Sequence, residues 1–402
     1  MTRTLPGWAQ DASLGIFLHW GAYSVPAWAE PTGALGTMPD EQWFPHNPYA
    51  EWYANTIRIE GSPAAVRHER RYAGAPYEEF LDEWRAEEYD PVAWARLFAS
   101  VGADYVIPTT KHHDGITLWD APGSGSLTTV ARGPRRDLLA PLADAVREEG
   151  IRFGVYYSGG LDWAFEQHPP LTSGADLTRF RPVGEDYNHY AVGHVDDLIR
   201  RYRPDVLWND IDWPDAGKHP GPTSIDGLLA RYREAVPEGI VNDRWGAPVE
   251  DYRTSEYEHG TANESGTGWE QCRGLGFSFG YNQAEDESVT LSPRELARLY
   301  ADIVSRGGRL LLNVGPTAAG TIPDVQKRTL SGVAEWMQTV KPHTAGRQTT
   351  PRDAVEVRDG SGAAVWSRSW RSGDRVIVVT DGAGGDVRAP RDAELVVIPL
   401  PE

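Results

Sequence analysis

Apolar positions in the first 340 residues gather into short β-rich runs, separated by longer stretches with helical spacing. The runs at 14–21, 104–110, 152–158, 204–210, 239–244, 252–257, 274–281 and 309–314 predict eight strands. Between the last two, Ser292-Pro293-Arg294-Glu295 reads as a capping box with Pro at the first helical position, followed by Leu296, Leu299, Tyr300 and Ile303 on one face. Residues 137–149, 190–202 and 324–340 carry the same spacing. Strands alternating with helices predict an α/β fold, a (β/α)8-like barrel whose active site would lie at the C-terminal strand ends. The stretch from Pro26 to about Asp90 is too long for an ordinary connection. Its aromatic, Pro-rich start and a charged helix at 63–84 predict an insertion over the barrel mouth. Past Lys341 the pattern changes to short β runs at 354–358, 364–370, 375–380 and 394–400, with Gly-containing turns between them. The expected organisation is a barrel domain over 1–341 and a small all-β, sandwich-like domain over 342–402.

Composition narrows the partners. With Lys+Arg 39 against Asp+Glu 58, the chain carries a formal charge of −19, which argues against a nucleic acid held by phosphate contacts. Cys272 is the only cysteine, so an internal disulfide and a cysteine-based metal site are both excluded, and a reducing cytoplasm is the expected location. The N-terminus lacks a basic segment followed by an apolar stretch, and no uncharged apolar run approaches the roughly 18 residues of a membrane span. No membrane partner is expected. Sixteen Trp and seventeen Tyr offer faces that pack on sugar C–H groups, although most must serve as core.

Polar residues at the predicted strand ends fall in four places. His19 and Trp20 end the first run. Lys111-His112-His113-Asp114-Gly115 closes the second, where alternation makes a shared metal awkward for adjacent histidines and favours hydroxyl binding. Tyr157 and Trp163 follow the third, and Asn209, Asp210 and Asp212 the fourth. A strand-end carboxylate can serve bond breaking, and it can equally cap a helix or a turn. Glycoside hydrolysis needs a second carboxylic acid, for which Glu256, Glu258, Glu264 and Glu270 are candidates; spacing cannot choose among them.

Taken together, His19-Trp20-Gly21, Glu51-Trp52-Tyr53, Lys111 to Gly115, Trp208-Asn209-Asp210 and Leu311-Leu312-Asn313-Val314-Gly315-Pro316 resemble the α-L-fucosidases of glycoside hydrolase family 29, from about Leu14 to Trp336. The resemblance implies a retaining exo-glycosidase acting on a fucosylated carbohydrate, with a (β/α)8-like catalytic domain and a C-terminal β-sandwich. It puts the nucleophile at Asp210 and hydroxyl-binding positions at His19, Glu51, Trp52, His112, His113, Tyr157 (or Tyr156) and Trp208, with Arg244 nearby. The Trp269-Glu270…Arg273-Gly274 segment resembles the family's acid/base segment and favours Glu270. Glu256 is the rival, because it ends a predicted strand at the barrel rim. Trp269 would then raise the Glu270 pKa, provided that Arg273 points elsewhere. No metal and no other cofactor is expected. At about sixty residues the C-terminal region is shorter than the family's usual sandwich. Two other classes compete: a metal-dependent barrel hydrolase using His19, His112, His113 and Asp210, and a catalytically silent sugar-binding protein. The sequence leaves the oligomeric state, natural linkage and aglycone open.

Overall fold

The computed structural model describes residues 3–34, 36–257, 268–351, 354–382, 386–390 and 393–402. Among them run the parallel strands β1 (Leu14–Leu18), β2 (Tyr105–Lys111), β3 (Arg152–Ser158), β4 (Val206–Asp210), β5 (Ile240–Val241), β6 (Arg253–Glu256), β7 (Trp269–Gly274) and β8 (Arg309–Val314). They form one sheet in the order β5-β4-β3-β2-β1-β8-β7-β6. The sheet curls as a (β/α)8-like barrel does but stays open, since no ladder joins β5 to β6 among the described residues. Alternation along each strand sorts the side chains. Phe17, Ile107, Tyr156, Trp208, Cys272 and Leu311 pack together inside. Their chain neighbours Ile16, Leu18, Val106, Val155, Leu207 and Leu312 pack in the other apolar layer with the surrounding helices.

The helix at Pro293–Ser305 begins with the expected reciprocal capping box of Ser292 and Glu295. Helices at Leu139–Glu148, Glu185–Tyr202 and Asp324–Val340 lie where the periodicity predicts them. The charged helix expected at 63–84 is instead two, Pro63–Tyr72 and Glu79–Glu83, because Ala73 and Gly74 turn into the left-handed region at φ 52° and 68°. No helix among the described residues is long and apolar enough to cross a membrane.

Two strands depart from expectation. The seventh lies at Trp269–Gly274 rather than 274–281, its register set by pairing Glu270 with Arg309 and Cys272 with Leu311. A carboxylate near the start of a buried strand disguised that strand as a loop. The fifth shrinks to Ile240–Val241, and the Asn242 side chain continues the ladder in place of backbone. Its amide donates to the Asn209 carbonyl (2.8 Å) and accepts from the Asn209 N–H (3.1 Å). Side chains also bridge the open seam. Asp251 accepts the Val241 N–H (3.0 Å), and Asp243 accepts the Thr254 N–H (3.0 Å) and hydroxyl (2.7 Å).

The C-terminal residues form β9 (Gln348–Thr349), β10 (Glu356–Arg358), β11 (Ser367–Ser372), β12 (Arg375–Thr380), β13 (Asp386–Arg388) and β14 (Glu394–Pro399). These make a sheet ordered β14-β12-β11-β9 and a β10-β13 pair around Val355, Val357, Val376 and Val378. They dock on the Pro293–Ser305 helix through Arg294 to Asp381 and Arg368 to Asp302, each at 2.5 Å.

Asp251 is buried, so Asp251→Ala would strand the buried Val241 N–H at the seam. We expect a loss of about 1–3 kcal/mol in urea unfolding. Stability equal to wild type would mean that the seam is closed by something else.

Candidate active site

A cavity of about 170 Å³ opens at the C-terminal ends of the barrel strands, roofed by Trp43, Phe44, Tyr49 and Trp52 of the predicted insertion. Asp210, the last residue of β4, reaches its floor. One carboxylate oxygen accepts the Tyr156 hydroxyl (2.8 Å); the other accepts Arg244 Nη1 (2.9 Å) and the Ile211 N–H (2.9 Å). Burial pushes the Asp210 pKa up, but Arg244, His113 and the Tyr156 hydrogen bond outweigh it and hold the carboxyl below its ordinary value. Ile211 makes its contact from φ 69°, a conformation costly for a β-branched residue, by roughly 1–3 kcal/mol.

Glu256, the last residue of β6, also lines the cavity and accepts the Tyr49 hydroxyl (2.8 Å). Arg244 Nη2 lies 3.3 Å from it, so one guanidinium contacts both carboxylates. That guanidinium is seated on the Trp208 ring, 4.6 Å from its centroid, and is tied by Nε to Thr254 Oγ1 (3.0 Å).

His19, His112 and His113 line the same cavity. His19 Nδ1 meets the Asn313 side-chain oxygen (2.7 Å) and so is the protonated nitrogen, leaving Nε2 as the acceptor. His113 Nδ1 lies 2.7 Å from Ser158 Oγ, whose own proton goes to the Leu161 carbonyl (2.7 Å). Nδ1 is therefore the donor, and Nε2 faces Asp210 at 3.9 Å. Glu51 and Trp52 complete the wall. The Glu51 carboxylate accepts the Gly280 N–H (2.7 Å) and Ser278 hydroxyl (3.3 Å), and burial pushes its pKa up to about 8.

The structure thus brings Asp210, His19, Glu51, Trp52, His112, His113, Trp208 and Arg244 to one cavity. Tyr157 does not join them. Strand alternation turns it to the opposite face of β3, against His194 (3.1 Å) and Lys111, and its neighbour Tyr156 takes the cavity position. Glu270 is also absent from the cavity wall. It is the second residue of β7, 1% exposed, and its carboxylate accepts Tyr105 OH (2.5 Å) and Trp208 Nε1 (2.9 Å). Trp269 stands apart from it, donating to the Arg306 carbonyl, and burial rather than that indole raises the Glu270 pKa. Arg273 does point elsewhere, over the Tyr257 ring. Glu258 and Glu264 lie outside the described residues. Asp212 turns away to Lys218 (2.7 Å) and Arg181 (3.3 Å), while Trp163 packs behind Trp52 and His113.

Sequence reasoning missed Tyr49, Ile211, Cys272 and Phe279 among the lining residues. Only the aromatic density of the insertion hinted at the first. Among the described residues none beyond Phe279 lines the cavity, so the described strands of the C-terminal sheets contribute nothing to its wall. Among the described residues no three His, Cys, Asp or Glu side chains are grouped to hold a metal ion.

His19 sits at about 4 and His113 at about 3, against 6.5 for a free imidazole, because burial penalises the cation. Below pH 6.5 the unfolded chain binds protons that the folded chain refuses, so these residues drain stability as the pH falls toward 4. Glu51 works in the opposite sense, costing stability as the pH rises from 4.5 to about 8. The informative measurement is a difference: between pH 6.5 and 4 the melting temperature of His113→Asn should fall less steeply than that of wild type. Parallel curves would show that this imidazole carries no such penalty.

A family model described as alpha-L-fucosidase matches residues 1–341. The tissue alpha-L-fucosidase of Homo sapiens is 31% identical over 343 residues, which span 84% of this chain and 68% of that protein. The alpha-L-fucosidase of Dictyostelium discoideum is 30% identical over 345 residues, 84% of this chain and 70% of that protein. A solved Thermotoga maritima alpha-fucosidase in complex with fucose is 45% identical, with a TM-score of 0.84 covering 94% of this chain and 84% of that one. With one family matched across the barrel and its carboxylate-bearing strands, this chain belongs to the α-L-fucosidases of glycoside hydrolase family 29.

Proposed function

We propose that the chain is a retaining, exo-acting α-L-fucosidase that releases terminal α-L-fucosyl residues from fucosylated glycans or glycosides, with Asp210 as nucleophile and Glu256 as acid/base. The observation that carries this reading is the pair of strand-end carboxylates held on either side of Arg244 in one small cavity. Asp210 is kept ionised beneath the position of an anomeric carbon. Glu256, at the rim, donates its proton to the departing glycosidic oxygen as the C–O bond breaks and the Asp210–sugar bond forms. It then takes a proton from the water that attacks the fucosyl ester, and that second displacement restores the original configuration. His19 and His113 offer Nε2 to sugar hydroxyl protons, and Arg244 and Trp52 donate or stack. The aromatic roof favours a single terminal residue with an apolar methyl.

Glu256 is preferred to Glu270 on position. An acid must reach the leaving oxygen, and the C-terminal end of a barrel strand reaches the mouth where the second residue of β7 does not. A silent sugar-binding protein would have no use for two carboxylates converging on one guanidinium.

Asp210→Gly should lower kcat by roughly 10⁴-fold with the fold intact. Added azide should restore part of the rate and give the β-fucosyl azide. For wild type, NMR should find α-fucose as the first product. Near-normal activity in the variant, or initial β-fucose, would overturn the reading.

Glu256→Ala should severely slow poor leaving groups, spare fucosylation by activated aryl fucosides, and gain turnover from azide with retained configuration. Should Glu270→Ala carry that signature and Glu256→Ala not, the acid/base is Glu270.

A further inference from the structure

A carboxylate enclosed in the lower barrel needs an explanation once it is not the proton donor. Glu270 accepts the Tyr105 hydroxyl and the Trp208 indole N–H, and its carboxylate lies 3.4 Å from Arg309 Nε as an ion pair. Stability alone does not account for the group, because replacing a buried ion pair by apolar side chains of similar volume is often neutral or stabilising. What distinguishes Glu270 is the partner above it. Trp208 stands two residues before Asp210 on the same face of β4, and its one hydrogen-bonding atom ends on Glu270. The rest of the indole serves as a plate. Tyr156 stacks on it with centroids 5.6 Å apart and planes 22° apart, and the Arg244 guanidinium lies 4.6 Å over it. Those two residues supply both side-chain hydrogen bonds to the Asp210 carboxylate.

We propose that Glu270 is a positioning residue: by holding the Trp208 indole it sets Tyr156 and Arg244, and through them the orientation and ionisation of Asp210. This rests on the reading of Asp210 as nucleophile. Rotating or tilting the indole removes the backing from both donors at once, and a carboxylate that loses donors to its charged form has its pKa raised. A displacement of this kind, well away from the reacting atoms, is worth up to about 10²-fold in rate.

The test uses Glu270→Gln and the isosteric Glu270→Met in the full chain, each alone and combined with Trp208→Phe, which removes the N–H but keeps a ring. Each Glu270 variant should lower kcat roughly 10- to 100-fold with KM little changed. The factor should be the same for activated and poor aryl leaving groups, and azide should not restore it. The acidic limb of the kcat/KM profile should move to higher pH. Combined with Trp208→Phe, the loss should not exceed that of Trp208→Phe alone, since the two act through one contact. Wild-type kcat and an unmoved acidic limb in both Glu270 variants would overturn the proposal, as would losses that add in the double variants. A loss confined to poor leaving groups would overturn it too, and would make Glu270 the proton donor in place of Glu256. Failure of the underlying reading shows separately, as an active Asp210→Gly.

Discussion

Arg244 is the group on which the mouth of this barrel depends. Two carboxylates facing one small cavity repel each other, and burial biases Asp210 toward its protonated form. A guanidinium contacting both relieves the repulsion without a second cation. Lysine could not substitute, since a single ammonium cannot present two separate nitrogens to two acids while lying flat on an indole. The planar group does all three, and Thr254 fixes its remaining edge.

The open seam follows from the same requirement. Had β5 run on and paired with β6, residues 242–244 would be committed to ladder hydrogen bonds. Instead the backbone leaves the sheet after Val241, and the side chains of Asn242, Asp243 and Asp251 replace the missing ladder. The chain is then free to bring Arg244 over Trp208, between the ends of β4 and β6. Closure of the barrel gives way to placement of one side chain.

Much of this was legible before any coordinates. Periodicity and the capping box at Ser292 located the helices at Leu139–Glu148, Glu185–Tyr202, Pro293–Ser305 and Asp324–Val340 but not those at Pro91–Ser100 and Ile225–Ala235, and strand ends rich in His, Asp and Trp marked one end of a barrel. Asp210 stood out through the resemblance carried by Trp208-Asn209-Asp210, since a strand-end aspartate alone can equally cap a helix or a turn. The failures share one cause, that a pattern gives the period of a strand but not its phase against its neighbours. Tyr156 and Tyr157 are equivalent in sequence, and only the register of Tyr156 against Trp208 turns one inward. Glu270 falls outside the strand predicted at 274–281 for want of Arg309, thirty-nine positions away and adjacent only once β7 and β8 pair. With the strand misplaced, the pattern does not show that this carboxylate lies near the start of β7 rather than at its C-terminal end.

The charge state of the finished cavity is simpler than its residue list. Four acids and bases that could have been ionised are not: burial holds His19, His112 and His113 neutral and drives Glu51 toward its protonated form near neutral pH. A neutral sugar is recognised by lone pairs and protons at fixed positions, and the uncharged imidazoles of His19 and His113, whose tautomers are settled, supply them without long-range fields. Asp210 is then left as the anion that Arg244 and Tyr156 keep charged. On the proposed reading, a positive charge growing on the anomeric carbon would meet that carboxylate between buried aromatic walls, where screening is weaker than in bulk solvent, so the protein's electrostatic work would be concentrated where the bond breaks.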